Sequence, residues 1–158
     1  MDSKTLIKNA EKKSIYKEFN SLVSHGQAHR KFIYASREKR TSCIKIGQTN
    51  NLKQRLGQMN TFSYYGFKYL TWHEFEGDTY GLERRIKHSF AKLDVNHGKG
   101  TEMFRIVGTD KELIRIFDAI VLNNMKELIK KYSSKKAQQD AENFAKFNSP
   151  RQLNLLRK

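Results

Sequence analysis

Apolar positions come first in this chain at helical spacing. Leu6, Ala10, Ile15, Phe19 and Leu22 recur among lysines and predict an amphipathic helix over residues 4–24. Ser24-His25-Gly26-Gln27 ends it. The pattern then shortens to β-prone runs. Residues 31–36 (Lys31-Phe32-Ile33-Tyr34-Ala35-Ser36) and 42–47 (Ser42-Cys43-Ile44-Lys45-Ile46-Gly47) read as strands. The charged turn Arg37-Glu38-Lys39-Arg40 between them is short, so the two pair as a hairpin. Asn50 or Asn51 caps a helix that runs to about Met59, with Leu52, Leu56 and Met59 on one face.

Residues 67–75 form an aromatic-rich strand containing Phe67, Tyr69, Leu70, Trp72 and Phe75. Gly77-Asp78-Thr79 starts a helix to about Leu93 that turns Leu82, Ile86, Phe90 and Leu93 inward. A loop over 94–101 leads to a short strand, Met103 to Val107. Thr109 and Glu112 make a capping box that opens a long helix through about Lys131. Leu113, Phe117, Ile120 and Leu128 form its apolar stripe. From Ser133 onward Lys, Gln, Asn and Ser dominate, the composition of a partly helical or disordered tail.

This order predicts an α+β fold. A small mixed sheet, made of the antiparallel hairpin and one or two further strands, is flanked by helices, with helical extensions at both ends. The chain divides into a helical extension at 1–30, a core domain at 31–107, a long helix at 108–132 and a basic tail at 133–158. The antiparallel hairpin is unlike a doubly wound nucleotide fold, and no glycine-rich phosphate loop follows any strand.

Charge changes the picture more than length does. The net charge is +15 over 158 residues. It is spread as +3 over 1–30, +7 over 31–107, +1 over 108–132 and +4 over 133–158, so the central domain is basic as well as the tail. A field of this sign favours polyanionic partners through phosphate contacts and counterion release. The single cysteine, Cys43, can form no intrachain disulfide and no cysteine-rich zinc site. No apolar run reaches the length of a membrane span, and the charged N-terminus has no signal-peptide core. These features predict a chain with no membrane partner in a reducing, cytoplasmic setting, with the nucleus or a virus-infected host cell as variants.

Several side chains could carry chemistry. Tyr34 sits in an apolar strand, where a phenol is either core or a group that orients water. Arg55 on a helix is either a solvated cation or a fork that holds a phosphate and its developing charge. Glu83 either pairs with Lys87 at i,i+4 or binds a hard cation, for which one carboxylate suffices because water and phosphate complete the shell. Lys45 supplies a positive charge if it shares a face with Tyr34. Gly47 marks a close backbone approach or a positive φ. His88 and His97 lack paired metal-ligand spacing. The aromatic cluster Phe62, Tyr64, Tyr65, Phe67, Tyr69 and Trp72 reads as core before it reads as a stacking surface for bases. Lys31, Arg37, Lys39, Arg40, Lys53, Arg84, Arg85, Lys87, Lys135 and Lys136 are candidate phosphate contacts, which raise affinity without reading sequence.

Phe32-Ile33-Tyr34 followed by Lys45-Ile46-Gly47 resembles the paired motifs that name the GIY-YIG nuclease superfamily. Further markers fall in register. Arg55 lies eight residues past Gly47, where the family keeps its catalytic arginine. Glu83, within Gly81-Leu82-Glu83-Arg84-Arg85-Ile86, stands where the family keeps its metal-binding glutamate, and Asn96 follows thirteen residues later in the place of a structural asparagine. Lys45-Ile46-Gly47-Gln48-Thr49 and Glu102-Met103-Phe104 resemble a branch found in phages and large DNA viruses. The resemblance covers roughly residues 31–106. Phe32 and Lys45 depart from the motif's glycine and tyrosine. Met59 stands where many members have a histidine or tyrosine. Lys87 takes the place of a histidine, with His88 one step on.

The resemblance implies a metal-dependent endonuclease that hydrolyses phosphodiester bonds, with Mg²⁺ or Mn²⁺ as cofactor. Tyr34, Lys45, Arg55 and Glu83 would be its catalytic set, Glu83 its metal ligand, and Gly47, His88, Asn96 and Glu102 its structural or auxiliary positions. DNA is the expected partner and RNA the alternative, for a monomer or a homodimer. Two other readings are a DNA-binding protein of the same fold that cuts weakly or not at all, and a small phage or viral factor that acts through a protein partner.

Overall fold

The computed structural model describes residues 3–23, 30–41, 43–76, 79–94 and 103–147. Its elements are α1 (Ser3–Val23), β1 (Arg30–Glu38), β2 (Cys43–Thr49), α2 (Leu52–Phe62), β3 (Phe67–Glu76), α3 (Tyr80–Ala91), β4 (Met103–Arg105) and α4 (Asp110–Phe147). The strands form one sheet in the order β3-β1-β2-β4. All three pairings are antiparallel, so the sheet is uniform rather than mixed. The fold is α+β.

Four consecutive buried residues, Ile33 to Ser36, belong to β1. A strand paired on both edges and covered on both faces buries every position, which explains its unbroken β-prone run. Ile33 and Ala35 point into the larger core, together with Ile44, Ile46 and Phe75 of the neighbouring strands. Leu82, Ile86 and Phe90 of α3, Phe19 of α1 and Leu113, Phe117, Val121, Met125 and Leu128 of α4 close that core. The other face is thinner. Tyr34, Met59 and Phe67 form its buried centre, with Leu52, Leu56, Tyr69 and Met103 packed around them. Among the described residues, α2 is the one helix that contributes to this second cluster.

Local signals set the helix starts. Asn51 caps α2, its side chain accepting from the Gln54 amide at 3.0 Å. Thr109 and Glu112 exchange hydrogen bonds at the start of α4, the Glu112 amide to Thr109 Oγ1 at 3.2 Å and the Thr109 amide to Glu112 Oε2 at 3.1 Å. Gly66 adopts φ 77° in the loop into β3, and its carbonyl accepts from the Lys39 amide at 2.9 Å, tying that loop to the β1–β2 turn.

Four expectations are corrected. Ala10 is exposed, because the buried face of α1 is carried by Phe19 with Ile15, Tyr16 and Leu22. Leu93 is exposed, because α3 ends at Ala91 and the residues beyond leave the helical period. Val107 is exposed, because β4 stops at Arg105 once β2 offers no further partner past Cys43. The long helix runs to Phe147 without a break at Lys131. Lys, Gln, Glu and Ala are strong helix formers, and in 133–146 they sustain a helix whose side chains are all exposed.

Candidate functional site

Tyr34 and Gly47 are direct cross-strand partners in the β1–β2 register. The phenol ring lies across the glycine. A Cβ placed on Gly47 would meet the ring, with Tyr34 Cζ at 2.6 Å and the hydroxyl closer still. Gly47 is thus required by close approach, not by a positive φ. Any side chain there would drive Tyr34 off the sheet.

Arg55 comes to the same place from α2. Its Nε donates to the Tyr34 hydroxyl at 3.0 Å, and its Nη1 reaches Gln58 Oε1 at 3.5 Å. The Asn51 cap and the apolar stripe Leu52-Leu56-Met59 position α2 so that Arg55 points down at the strand. Tyr34 is fully buried, so its oxygen acts on the guanidinium rather than on solvent. It holds the arginine fork in one orientation, which is what bidentate recognition of a phosphate needs.

Beside this pair opens a cleft lined by Glu38, Lys45, Arg55, Gln58, Met59 and Ser63 among others. Lys45 faces Ser36 across the β1–β2 pair and Met103 across the β2–β4 pair. It alternates with Ile44 and Ile46, which point to the opposite core, and so shares the face of Tyr34 and Gly47. Met59 fills the position where relatives of the motif have a histidine or tyrosine. It is buried, its sulfur 3.8 Å from Ser36 Oγ, and it carries no group that can move a proton. Tyr69 stands edge-on to Tyr34 at 5.2 Å, and its hydroxyl donates to the Leu52 carbonyl at 2.6 Å. Burial pushes the Tyr69 phenol up to about 12, helped by Tyr34 and opposed by Arg55. At neutral pH it is a donor and not a base.

Glu83 lies on α3, which packs against β2, and it is not among the residues that line the cleft beside Arg55. Thr79 forgoes the usual side-chain cap at the start of α3. Its Oγ1 instead donates to Gln48 Oε1 at 2.6 Å, and its carbonyl accepts from the Glu83 amide at 2.9 Å. The start of α3 is therefore pinned to the residue next to Gly47. Glu83 is buried, and Lys87 Nζ lies 2.7 Å from its Oε1, one turn along the helix. No group of three or more His, Cys, Asp or Glu side chains is gathered among the described residues. The donor set suits an ion that needs one protein carboxylate, with water and phosphate as its other ligands. Glu83 answers to that, since a buried carboxylate beside one ammonium can exchange or share that partner with a cation.

The remaining candidates separate. His88 is exposed on α3. Asn96, His97 and Glu102 lie outside the described residues. Arg37 bonds Asp110 at 2.6 Å, Arg85 bonds Glu127 at 2.6 Å, and Lys87 bonds Glu83. Lys39, Arg40, Lys53, Arg84, Lys135 and Lys136 are exposed, Arg40 lying over the Tyr65 ring at 5.2 Å, while Lys31 is half-buried on β1. Phe67 and Phe75 are core, but Tyr64 and Trp72 are exposed. Reading the sequence missed Thr79 as the tie to Gln48 and Gln58 as the second partner of Arg55; Gln48 had a signal, being part of the quoted Lys45–Thr49 motif, and Tyr69, read first as core, does pack against the second cluster.

It also missed a second network on the thick face. His73 is buried between Tyr16 of α1, whose hydroxyl meets Nδ1, and Asp118 of α4, whose Oδ1 is 2.6 Å from Nε2. Burial, with the Asp118 charge, pushes the Tyr16 phenol well above its ordinary range. Among the described residues no helix is long and apolar enough to cross a membrane.

Comparisons with curated proteins and with solved structures return no match. A family comparison does: the T5orf172 domain matches residues 31–141, which takes in the whole sheet, the arginine helix, the glutamate helix and most of α4. The chain belongs to the T5orf172 domain family, a phage-associated, nuclease-type domain.

Proposed function

We propose that this chain is an endonuclease that hydrolyses phosphodiester bonds in DNA with the help of Mg²⁺ or Mn²⁺. The observation that carries the reading is the trio Tyr34, Gly47 and Arg55. A phenol is packed flat on a glycine and fixes an arginine at the rim of a basic cleft. Membership of a nuclease-type family supports it. The Lys45–Thr49 stretch further suggests the branch found in phages and large DNA viruses.

In this reading Arg55 takes the scissile phosphate and stabilises the charge added in the transition state. Tyr34 is its positioning residue; it can address the attacking water only if Arg55 moves toward the phosphate and uncovers its oxygen. Lys45 lines the same cleft and adds attraction for the phosphate. Glu83 would hold the divalent ion, releasing or sharing its bond with Lys87. When bound, such an ion supplies Lewis-acid stabilisation to the phosphoryl and leaving oxygens. Exposed Lys39, Arg40, Lys53, Arg84, Lys135 and Lys136 supply grip without sequence preference.

A second reading is a DNA-binding protein that cuts little. Met59 favours it, because a buried thioether stands where a proton-transfer group would be expected. One experiment separates the two. Wild type, Glu83→Ala and Arg55→Ala are incubated with supercoiled plasmid and with a branched junction, in Mg²⁺, in Mn²⁺ and in chelator. Metal-dependent nicking by wild type that falls about 100-fold or more in either variant is the expected result. DNA binding by all three proteins without cleavage by any would replace the nuclease with the binding protein.

A further inference from the structure

Trp72 is the chain's one tryptophan, and it stands half in solvent, 50% exposed. It lies directly across the β1–β3 pair from Tyr34. Leu52, the first residue of α2, accepts the hydroxyl of Tyr69 through its carbonyl. Trp72 stands next in the row, 5.9 Å and 70° from the Tyr69 ring. Tyr69 in turn stands edge-on to Tyr34, and Tyr34 holds Arg55. A row of rings thus runs from the arginine at the cleft to a tryptophan that faces water. A large amphipathic ring held upright at a sheet edge is costly to leave bare, and suits a partner with a flat π surface.

The charges nearby say which part of a nucleotide fits. Lys53 is exposed on the first turn of α2, two residues before Arg55. Glu74 is exposed on the same face as Trp72, two residues along β3, and gives that end of the row an acidic rather than a basic side chain. The arginine end of the row therefore suits the backbone and the tryptophan end suits a base. Bases in an intact duplex are stacked on one another and cannot lie on a protein ring, so the base must be unpaired.

We infer that Trp72 is a stacking platform for an unpaired nucleobase beside the phosphate held by Arg55, and that the preferred substrate is single-stranded, flapped or otherwise splayed DNA. This rests on Arg55 being the phosphate site.

The test uses the full chain in chelator, so that cleavage plays no part. Tryptophan emission reports Trp72 alone, because no other tryptophan is present. An oligothymidylate strand and a blunt duplex of the same length are titrated into wild type, Trp72→Phe and Trp72→Ala, with binding followed separately by anisotropy of a labelled strand. The single strand is expected to quench the emission and the duplex to leave it nearly unchanged. Trp72→Ala should weaken single-strand binding about tenfold and duplex binding less than about twofold, with Trp72→Phe in between. Single-strand binding without quenching, or equal weakening on both DNAs, overturns the platform and leaves the nuclease reading to its own cleavage assay. An emission shift that follows protein concentration without DNA overturns it in favour of a second copy on that face. Wild type that binds neither DNA overturns both readings.

Discussion

The two faces of the sheet are built to different standards. The face under α1, α3 and α4 is a thick apolar core whose polar intrusion, Tyr16–His73–Asp118, ties three elements together. The face under α2 has a small buried centre and a second tyrosine network, Tyr34–Arg55–Gln58, at the rim of a cleft. Both networks contain a tyrosine whose hydroxyl meets a side-chain nitrogen, of His73 on one face and of Arg55 on the other. On the thick face every partner is used up in joining helices to the sheet. On the thin face the arginine borders a cavity, and a row of rings, Tyr34 and Tyr69, runs from it to the exposed Trp72. A well-packed face gives the sheet the rigidity that lets its sparse face hold groups in fixed positions, the arrangement that preorganised sites need.

The largest effect should come from the thick face. Phe117→Ala removes a fully buried ring at the centre of the α4 contact and should cost about 3–5 kcal/mol of stability, read as a lower urea midpoint. At temperatures where the variant stays folded, its DNA binding should match wild type. A binding defect in the folded variant would mean that the two faces are coupled more tightly than the comparison holds.

Gly47→Ala attacks the thin face. The new methyl collides with Tyr34, and overpacking of this kind costs about 1–3 kcal/mol. Because Tyr34 sets Arg55, cleavage should fall about 100-fold, the effect of a small misplacement of a reacting group. Full cleavage with the stability loss alone would show that the Tyr34–Arg55 bond has no role in turnover.

The smallest effect lies where the faces meet an exposed ion pair. Asp110 joins Lys68 of β3 at 2.5 Å and Arg37 of β1 at 2.6 Å to the start of α4. The hydrogen bonds from Lys68 and then Arg37 hold its carboxyl below the usual carboxylate range. A depressed folded-state value means the contribution is present above the ordinary carboxylate value near 3.8 and is lost as pH falls through the lower, folded one. Asp110 is 41% exposed, so solvent screening limits the contribution to about 0–1 kcal/mol. Asp110→Asn should lower stability at neutral pH by about 0–1 kcal/mol and leave the acid end nearly unchanged, which flattens the acid limb of the stability curve slightly. A loss of several kcal/mol at neutral pH would move Asp110 from a surface clip to a structural centre.

Much of the fold was legible because its signals are local. The hairpin, the aromatic strand and both helix caps depend on residues within a few positions of each other, and each was read from such runs. Leu93 and Val107 misled for the same reason. Periodicity extends past the point where an element loses its partner, and nothing nearby in sequence marks that point. At residues 133–147 one composition carried two meanings. Polar, charged segments bury too little to fold as a core, yet Lys, Gln, Glu and Ala propagate a helix already started by a packed one.

The sequence by itself determined the α+β order and the positive field, since spacing and residue type are enough for these, and its resemblance to a nuclease superfamily nominated Tyr34, Gly47, Arg55 and Glu83 as candidates. Only tertiary structure decided what each one touches. Gly47 proved necessary because a ring from the neighbouring strand lies on it, Tyr34 proved buried because α2 closes over it, and Glu83 approached the same strand end through Thr79 and Gln48. The pairing of Tyr16 and Asp118 with His73 joins residues 57 and 45 positions apart. Such contacts depend on how strands and helices pack in space, and a one-dimensional pattern of polar and apolar residues carries no record of distance across a sheet.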